Sequence, residues 1–134
     1  MVTVCTFNRA QLLNRDDVFD VVIHALRGTA ELKGWRVGRY VVMPDHVHFF
    51  CSPVAEEHGL SGFVRDFKSL STNRYWKLGF AGKLWQTEFF DHLLRSGESY
   101  QSKWEYVRLN PVRHGLCASP EEWKYAGEIE QFGT

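Results

Sequence analysis

The chain has only three cysteines, Cys5, Cys51 and Cys117, with no CxxC spacing. An odd, scattered set argues against a disulfide framework or a cysteine zinc site and fits a reducing, cytoplasmic setting. The opening Met1-Val2-Thr3-Val4-Cys5 lacks the charged and long apolar regions of a secretory leader. No apolar run approaches the length of a membrane span, so no membrane partner is expected. Internal repeats and low-complexity linkers are also missing. Formal net charge is zero, so bulk charge does not mark a nucleic-acid binder. What remains is a 134-residue chain of ordinary globular composition, expected to form one domain over residues 1–134 with a substantial core.

Charge distribution says more than net charge. From Arg65 to Arg113 nine Lys and Arg face five Asp and Glu, whereas from His114 onward one Lys faces four Glu. A basic middle and an acidic tail are compatible with phosphate binding on one face, and equally with solvated surface charge.

Periodicity predicts the elements. Val2 to Phe7 alternates and is β-branched, a first strand. Asn14 and Asp17 read as a helix start; Val18, Val21, Val22, Ala25, Leu26 and Leu32 keep helical spacing over about 15–33 to a stop at Gly34. Trp35–Met43 and His46–Ser52 read as a hairpin turning at Pro44-Asp45. A loop follows over 53–59. Leu60, Phe63, Val64, Phe67 and Leu70 define a second helix to about residue 78. The stretch 84–94 reads as one bent strand or two short ones. A third helix begins near Gly97, carries Tyr100, Trp104 and Val107 on one side, and is expected to end at Pro111. Ser119 to Trp123 is a short helical turn with proline first. The order β-α-β-β-α-β-α implies an α+β fold, an antiparallel sheet flanked by helices, of ferredoxin-like character.

Chemistry concentrates at Met43-Pro44-Asp45-His46-Val47-His48. Side chains alternate along a strand, so His46 and His48 share one face while Val47 and Phe49 face the core. Two imidazoles so placed can converge on one ion; the alternative is a pair of ordinary sheet histidines. Of the five tyrosines, only Tyr106 has a suitable metal ligand four residues on, Asn110, which shares its helix face. An amide oxygen suits a hard divalent ion. The alternatives here are a packed aromatic and a helix-end cap.

These blocks resemble the single-tyrosine HUH transposases, an insertion-sequence transposase family, and most closely their REP-associated tyrosine transposase branch. The match rests on the strand Thr3–Phe7 followed by Asn8-Arg9, on Met43 to His48, on Leu84-Trp85-Gln86 with Phe89, Asp91 and His92, and on Tyr106-Val107-Arg108-Leu109-Asn110-Pro111-Val112-Arg113 with Gly115-Leu116. The resemblance implies the ferredoxin-like HUH nuclease fold, His46, His48 and Asn110 as ligands of a divalent ion (Mg2+ or Mn2+), and Tyr106 as nucleophile. It implies nicking and strand transfer on single-stranded DNA beside a hairpin through a 5′-phosphotyrosine. A homodimer and a monomer both remain open. Asp45 departs from the family's usual Asn. Arg65, Lys68, Arg74, Lys77, Arg108 and Arg113 are candidate phosphate contacts, and Trp85 or Phe89 candidate base-stacking residues. Three other readings stand beside this one: a hairpin-binding protein that no longer cuts, a metal hydrolase in which water attacks, and a structural domain without metal.

Overall fold

The computed structural model describes residues 1–55, 59–94 and 97–131; part of the expected 53–59 loop therefore lies outside the described residues. Five strands, β1 (Val2–Cys5), β2 (Trp35–Met43), β3 (His46–Pro53), β4 (Phe90–Asp91) and β5 (Ala126–Glu128), form one sheet in the order β4-β1-β3-β2-β5. Every pairing is antiparallel. The helices are α1 (Asp16–Lys33), α2 (Leu60–Lys77), α3 (Gly97–Arg108) and the single turn α4 (Asn110–Arg113). Placing β1 and β3 side by side, with β2 and β4 outside them, gives the ferredoxin-like strand order, extended by β5.

Alternation assigns the two faces. Val2, Val4, Val37, Val42, Val47 and Phe49 point to one face and pack with Val18, Val22 and Leu26 of α1 and Phe63, Val64 and Phe67 of α2. Phe49 meets Phe63 and Phe67 edge-on, and Trp35 stacks on Phe63. Burying each such side chain contributes about 1.5–3 kcal/mol. The opposite face is thinner. There Val41 and Met43 pack against Val107 of α3, and Phe50 packs against Tyr100 and Trp104. The apolar stripe of α3 therefore lays that helix across the face carrying His46 and His48.

Two local expectations change, and two further features were not foreseen. Asn14 does not cap α1: Arg15 holds the cap position, and the Asp17 carboxylate accepts from the Val18 amide. Pro111 does not terminate α3. The chain breaks at Leu109 and resumes in α4, where proline sits in the first turn, the position at which its missing N–H is harmless. Ser119 precedes the 3-10 turn Pro120–Glu122 without a side-chain cap bond; instead the Glu122 carboxylate accepts from the Ala118 amide. Finally β5 was not legible in advance, since Ala126-Gly127-Glu128 has no β-propensity. Its glycine is required by contact: a Cβ at Gly127 would lie 2.7 Å from the Tyr40 hydroxyl across the strand pair.

The stretch 84–94 resolves into two short pairings along the β1 edge. Thr6 bridges Trp85, and Val2 and Thr3 pair with Asp91 and Phe90. Between them the chain bulges, held by Lys68 of α2, whose ammonium donates to the carbonyls of Gln86 (2.8 Å), Thr87 (2.8 Å) and Glu88 (3.0 Å). Among the described residues no helix is long and apolar enough to cross a membrane.

An ammonium has three donors, and here each has a carbonyl. Lys68→Met removes all three bonds while keeping the aliphatic stem. The expected cost is about 1–3 kcal/mol, since bonds to charged groups are stronger than average but this site is partly solvated. Urea unfolding checks it; an unchanged midpoint would show that the strap does not hold the bulge.

Candidate active site

The site is built where β1 and β3 pair. Register sets Thr3 opposite His48 and Cys5 opposite His46. His46 and His48 project to the α3 face, their rings 4.7 Å apart at a steep angle. His46 is buried (8% exposed) and His48 partly so. Their Nε2 atoms stand 3.2 Å apart, and Asn110 at the start of α4 brings its amide Nδ2 to 3.1 Å from His48 Nε2. The helix break at Leu109 thus falls immediately before the residue that reaches the histidines.

Donor accounting fixes the protons. Arg113 Nη2 lies 2.9 Å from Asn110 Oδ1, and a guanidinium only donates, so Oδ1 is the acceptor and Nδ2 faces His48 as donor. His48 Nε2 must then be unprotonated, and its Nδ1–H donates to the Thr3 hydroxyl 2.8 Å away. On the other ring, His46 Nδ1 lies 2.7 Å from Asp45 Oδ1. An ionised carboxylate only accepts, so His46 donates from Nδ1. In its neutral form His46 then presents a bare Nε2 3.2 Å from that of His48, whose lone pair already accepts from Asn110.

Electrostatics keep it so. Burial, then the neighbouring His46, pushes His48 down to about 3, and burial lowers His46 against the raising pull of Asp45. Burial raises Asp45, but hydrogen bonds from His46 and Arg9 outweigh it and leave the carboxyl below the usual range. Arg9 Nε meets Asp45 Oδ2 at 2.9 Å. Arg9 and the preceding Asn8 both occupy the left-handed region, at φ 53° and 57°. Non-glycine residues enter that region at a cost, and here the surroundings compensate: Thr6 N–H donates to Asp45 O, and Arg9 N–H returns to Thr6 O.

The spacing of the two ring nitrogens also fits a shared cation. Two nitrogens each about 2.1 Å from a common ion, at roughly 100° to one another, lie about 3.2 Å apart. Both imidazoles are oriented from behind, one by a carboxylate and one by a hydroxyl, as histidine ligands commonly are. The third donor is an amide: among the described residues no group of three or more His, Cys, Asp or Glu is placed to hold a metal. As it stands, Asn110 turns its oxygen to Arg113, so ligation through Oδ1 requires the amide to turn over.

Tyr106 is 60% exposed on α3. It reaches the site through Arg113, whose guanidinium lies 3.9 Å from its ring centroid, with Lys103 Nζ at 5.5 Å. A cleft of about 380 Å³ beside it is lined by His92, Leu94, Ser99, Ser102, Lys103 and Tyr106. The cations expected to meet phosphate divide between the faces. Arg65, Lys68, Arg74 and Lys77 lie on α2, across the sheet, where Arg65 approaches Asp66 and Lys68 is engaged by the bulge. Arg108 pairs with Glu105 and Glu121, and Arg113 with Asn110. Trp85 is buried, donating to Ser71 Oγ, and Phe89 packs on the core, so neither is free to stack on a base. Sequence reasoning did not find Thr3 as the partner of His48; only its register opposite that histidine reveals it.

Two strand histidines facing an amide at a helix end, with an exposed tyrosine one turn earlier, bring together the motifs on which the sequence resembles a single-tyrosine transposase. The chain belongs to that family: the profile described as "Transposase IS200 like" matches residues 1–108, which include both histidines and Tyr106 and end two residues before Asn110. It is 25% identical over 118 residues to the REP-associated tyrosine transposase of Escherichia coli K12, covering 88% of this chain and 68% of that one. A solved REP-associated tyrosine transposase bound to a REP hairpin superposes with a TM-score of 0.79 at 25% identity, over 93% of this chain and 73% of that one. A candidate transposase from Deinococcus radiodurans R1 gives 0.60 at 26% identity, over 79% and 85%.

Asp45→Ala deprives His46 of its orienting partner and leaves Arg9 unpaired. Manganese affinity at the histidine pair is expected to fall about 10- to 100-fold, the usual cost of losing a ligand's outer partner. Titration calorimetry measures this, and equal affinities would dissociate Asp45 from the ion site.

Proposed function

We propose that the protein nicks single-stranded DNA next to a hairpin and rejoins strands through a covalent link to Tyr106. The observation that carries this reading is the pair of Nε2 atoms 3.2 Å apart on one strand face, with Asn110 against them. Hairpin DNA as substrate class is supported by the solved relative that holds a REP hairpin.

His46, His48 and, after its amide turns over, Asn110 would hold a divalent ion, Mg2+ or Mn2+. Such an ion supplies charge neutralisation at a nonbridging phosphate oxygen. The protein's own residues do the rest. The Tyr106 hydroxyl oxygen attacks phosphorus, forming a Tyr–O–P bond as the P–O3′ bond breaks. The departing O3′ takes up a proton to become a free 3′-OH, and the phenolic proton passes to water. The 5′ end stays on Tyr106, and a later attack by a 3′-OH reverses the step, so no nucleotide cofactor is consumed. Lys103, beside Tyr106, places positive charge where the scissile phosphodiester would lie, in the cleft it shares with His92 and Ser102. Arg113 would move from Asn110 to phosphate as the amide turns. One chain carries all four residues, with Tyr106 and Asn110 linked through Arg113.

Incubation with hairpin-bearing single-stranded DNA and manganese should give a protein–DNA band on a denaturing gel. Tyr106→Phe and His48→Ala should each reduce it at least 100-fold, and chelation should abolish it. Binding without an adduct in the wild type would favour the non-cutting hairpin binder, and hydrolysis surviving Tyr106→Phe would favour attack by water.

A further inference from the structure

Away from Tyr106, at the β1 edge, a groove of about 290 Å³ runs between α2 and the segment bridged to Thr6. Its walls are Ser69, Thr72, Asn73 and Trp76 of α2 facing Lys83, Gln86 and their neighbours. Three properties set it apart. First, its lining holds two lysines and no acid, in a chain of zero net charge. Second, Trp76 is half exposed, yet its indole is fixed by a 2.8 Å bond from Nε1 to the Gly82 carbonyl. An exposed tryptophan held in one orientation is a flat apolar surface without an internal partner. Nearby, Lys83 lies over the exposed ring of Phe7, 5.3 Å from its centroid. Third, the side chains of Thr72, Asn73 and Gln86 have no hydrogen-bond partner among the described residues. An indole platform, an unneutralised ammonium and unpaired amides are the elements by which proteins hold unpaired nucleotides.

Position adds to this. The groove's floor is hydrogen-bonded to the end of β1, Gln86 N–H to Cys5 O and Phe7 N–H to Leu84 O, and Cys5 in turn pairs with His46. The backbone under the groove is therefore two strand spacings from β3, roughly 10 Å, with the groove on the α2 face and the histidines on the other. The cavity is at the small end of ligand sites, which begin at about 300 Å³, so it suits one nucleotide and not a duplex.

We propose that this groove is a second nucleic-acid subsite that takes one unpaired base of single-stranded DNA. The base stacks on Trp76, its edge meets Asn73 and Gln86, and Lys83 faces the adjoining phosphate. The proposal rests on the DNA reading above and names where an unpaired flank is gripped while Tyr106 acts elsewhere.

The test is metal-free binding of a fluorescein-labelled single-stranded oligonucleotide, followed by anisotropy, with photocrosslinking of a 5-iodouracil-substituted strand. Trp76→Ala should weaken binding on the order of tenfold, the typical loss of one stacked base, and Trp76→Phe should restore most of it. Lys83→Ala should weaken binding and flatten its salt dependence by about one phosphate contact. The crosslink should map to Trp76. Thermal melting identifies any variant that fails to fold, and crosslinking of the wild type does not depend on variants. Unchanged affinity in Trp76→Ala and Lys83→Ala, or a crosslink elsewhere, overturns the subsite even if adducts form on Tyr106. Loss of binding in both variants, with no adduct from the wild type, keeps the subsite and removes strand transfer.

Discussion

Two imidazole nitrogens held 3.2 Å apart on one strand face are the constraint on which this end of the molecule depends. So close an approach of two buried rings must be held by the surrounding structure. Thr3 and Asp45 grip the two rings from behind, the β1–β3 register fixes their common face, and burial keeps both rings neutral. Arg9 extends that grip by holding Asp45, at the expense of two left-handed residues. Asp45, a departure from the motif's usual Asn, acts behind a histidine and does not point to its lone pair.

Arg113 is the second organising residue. Its guanidinium touches both Tyr106 and Asn110, and by taking the amide oxygen it turns the amide N–H toward His48. The helix break at Leu109 lets α4 turn Asn110 and Arg113 toward the sheet while Val107 stays packed on Val41 and Met43. Tyr106 and Asn110 are thus joined through the Arg113 guanidinium.

Much of this was legible because it follows from alternation and helical spacing. The face shared by His46 and His48, the core face of Val47 and Phe49, and the apolar stripe of α3 all come from period alone. The sheet with flanking helices followed from element order, and the IS200-like family from the motifs. What was hidden depends on partners distant in the chain. Thr3 behind His48 is a matter of register, and the Lys68 strap needs the bulge it holds. β5 exists because Gly127 fits under Tyr40 and because β2 offers it an edge, neither of which Ala-Gly-Glu announces. Trp85 read as a base-stacking candidate because an aromatic in a motif looks functional, whereas its indole is buried on Ser71.

The bulge between Trp85 and Phe90 also bears on how molecules of this protein meet one another. An open strand edge is a template on which another chain can add, and a sheet of this size has two. On one side Lys68 draws three carbonyls inward and leaves β4 only two residues long. On the other, the chain from Tyr125 to Glu130 covers β2 with a three-residue strand and flanking single bonds. Neither edge offers a run of free backbone groups in register. A sheet blunted on both sides resists edge-to-edge aggregation, which allows the motif strands at its centre to be long and apolar.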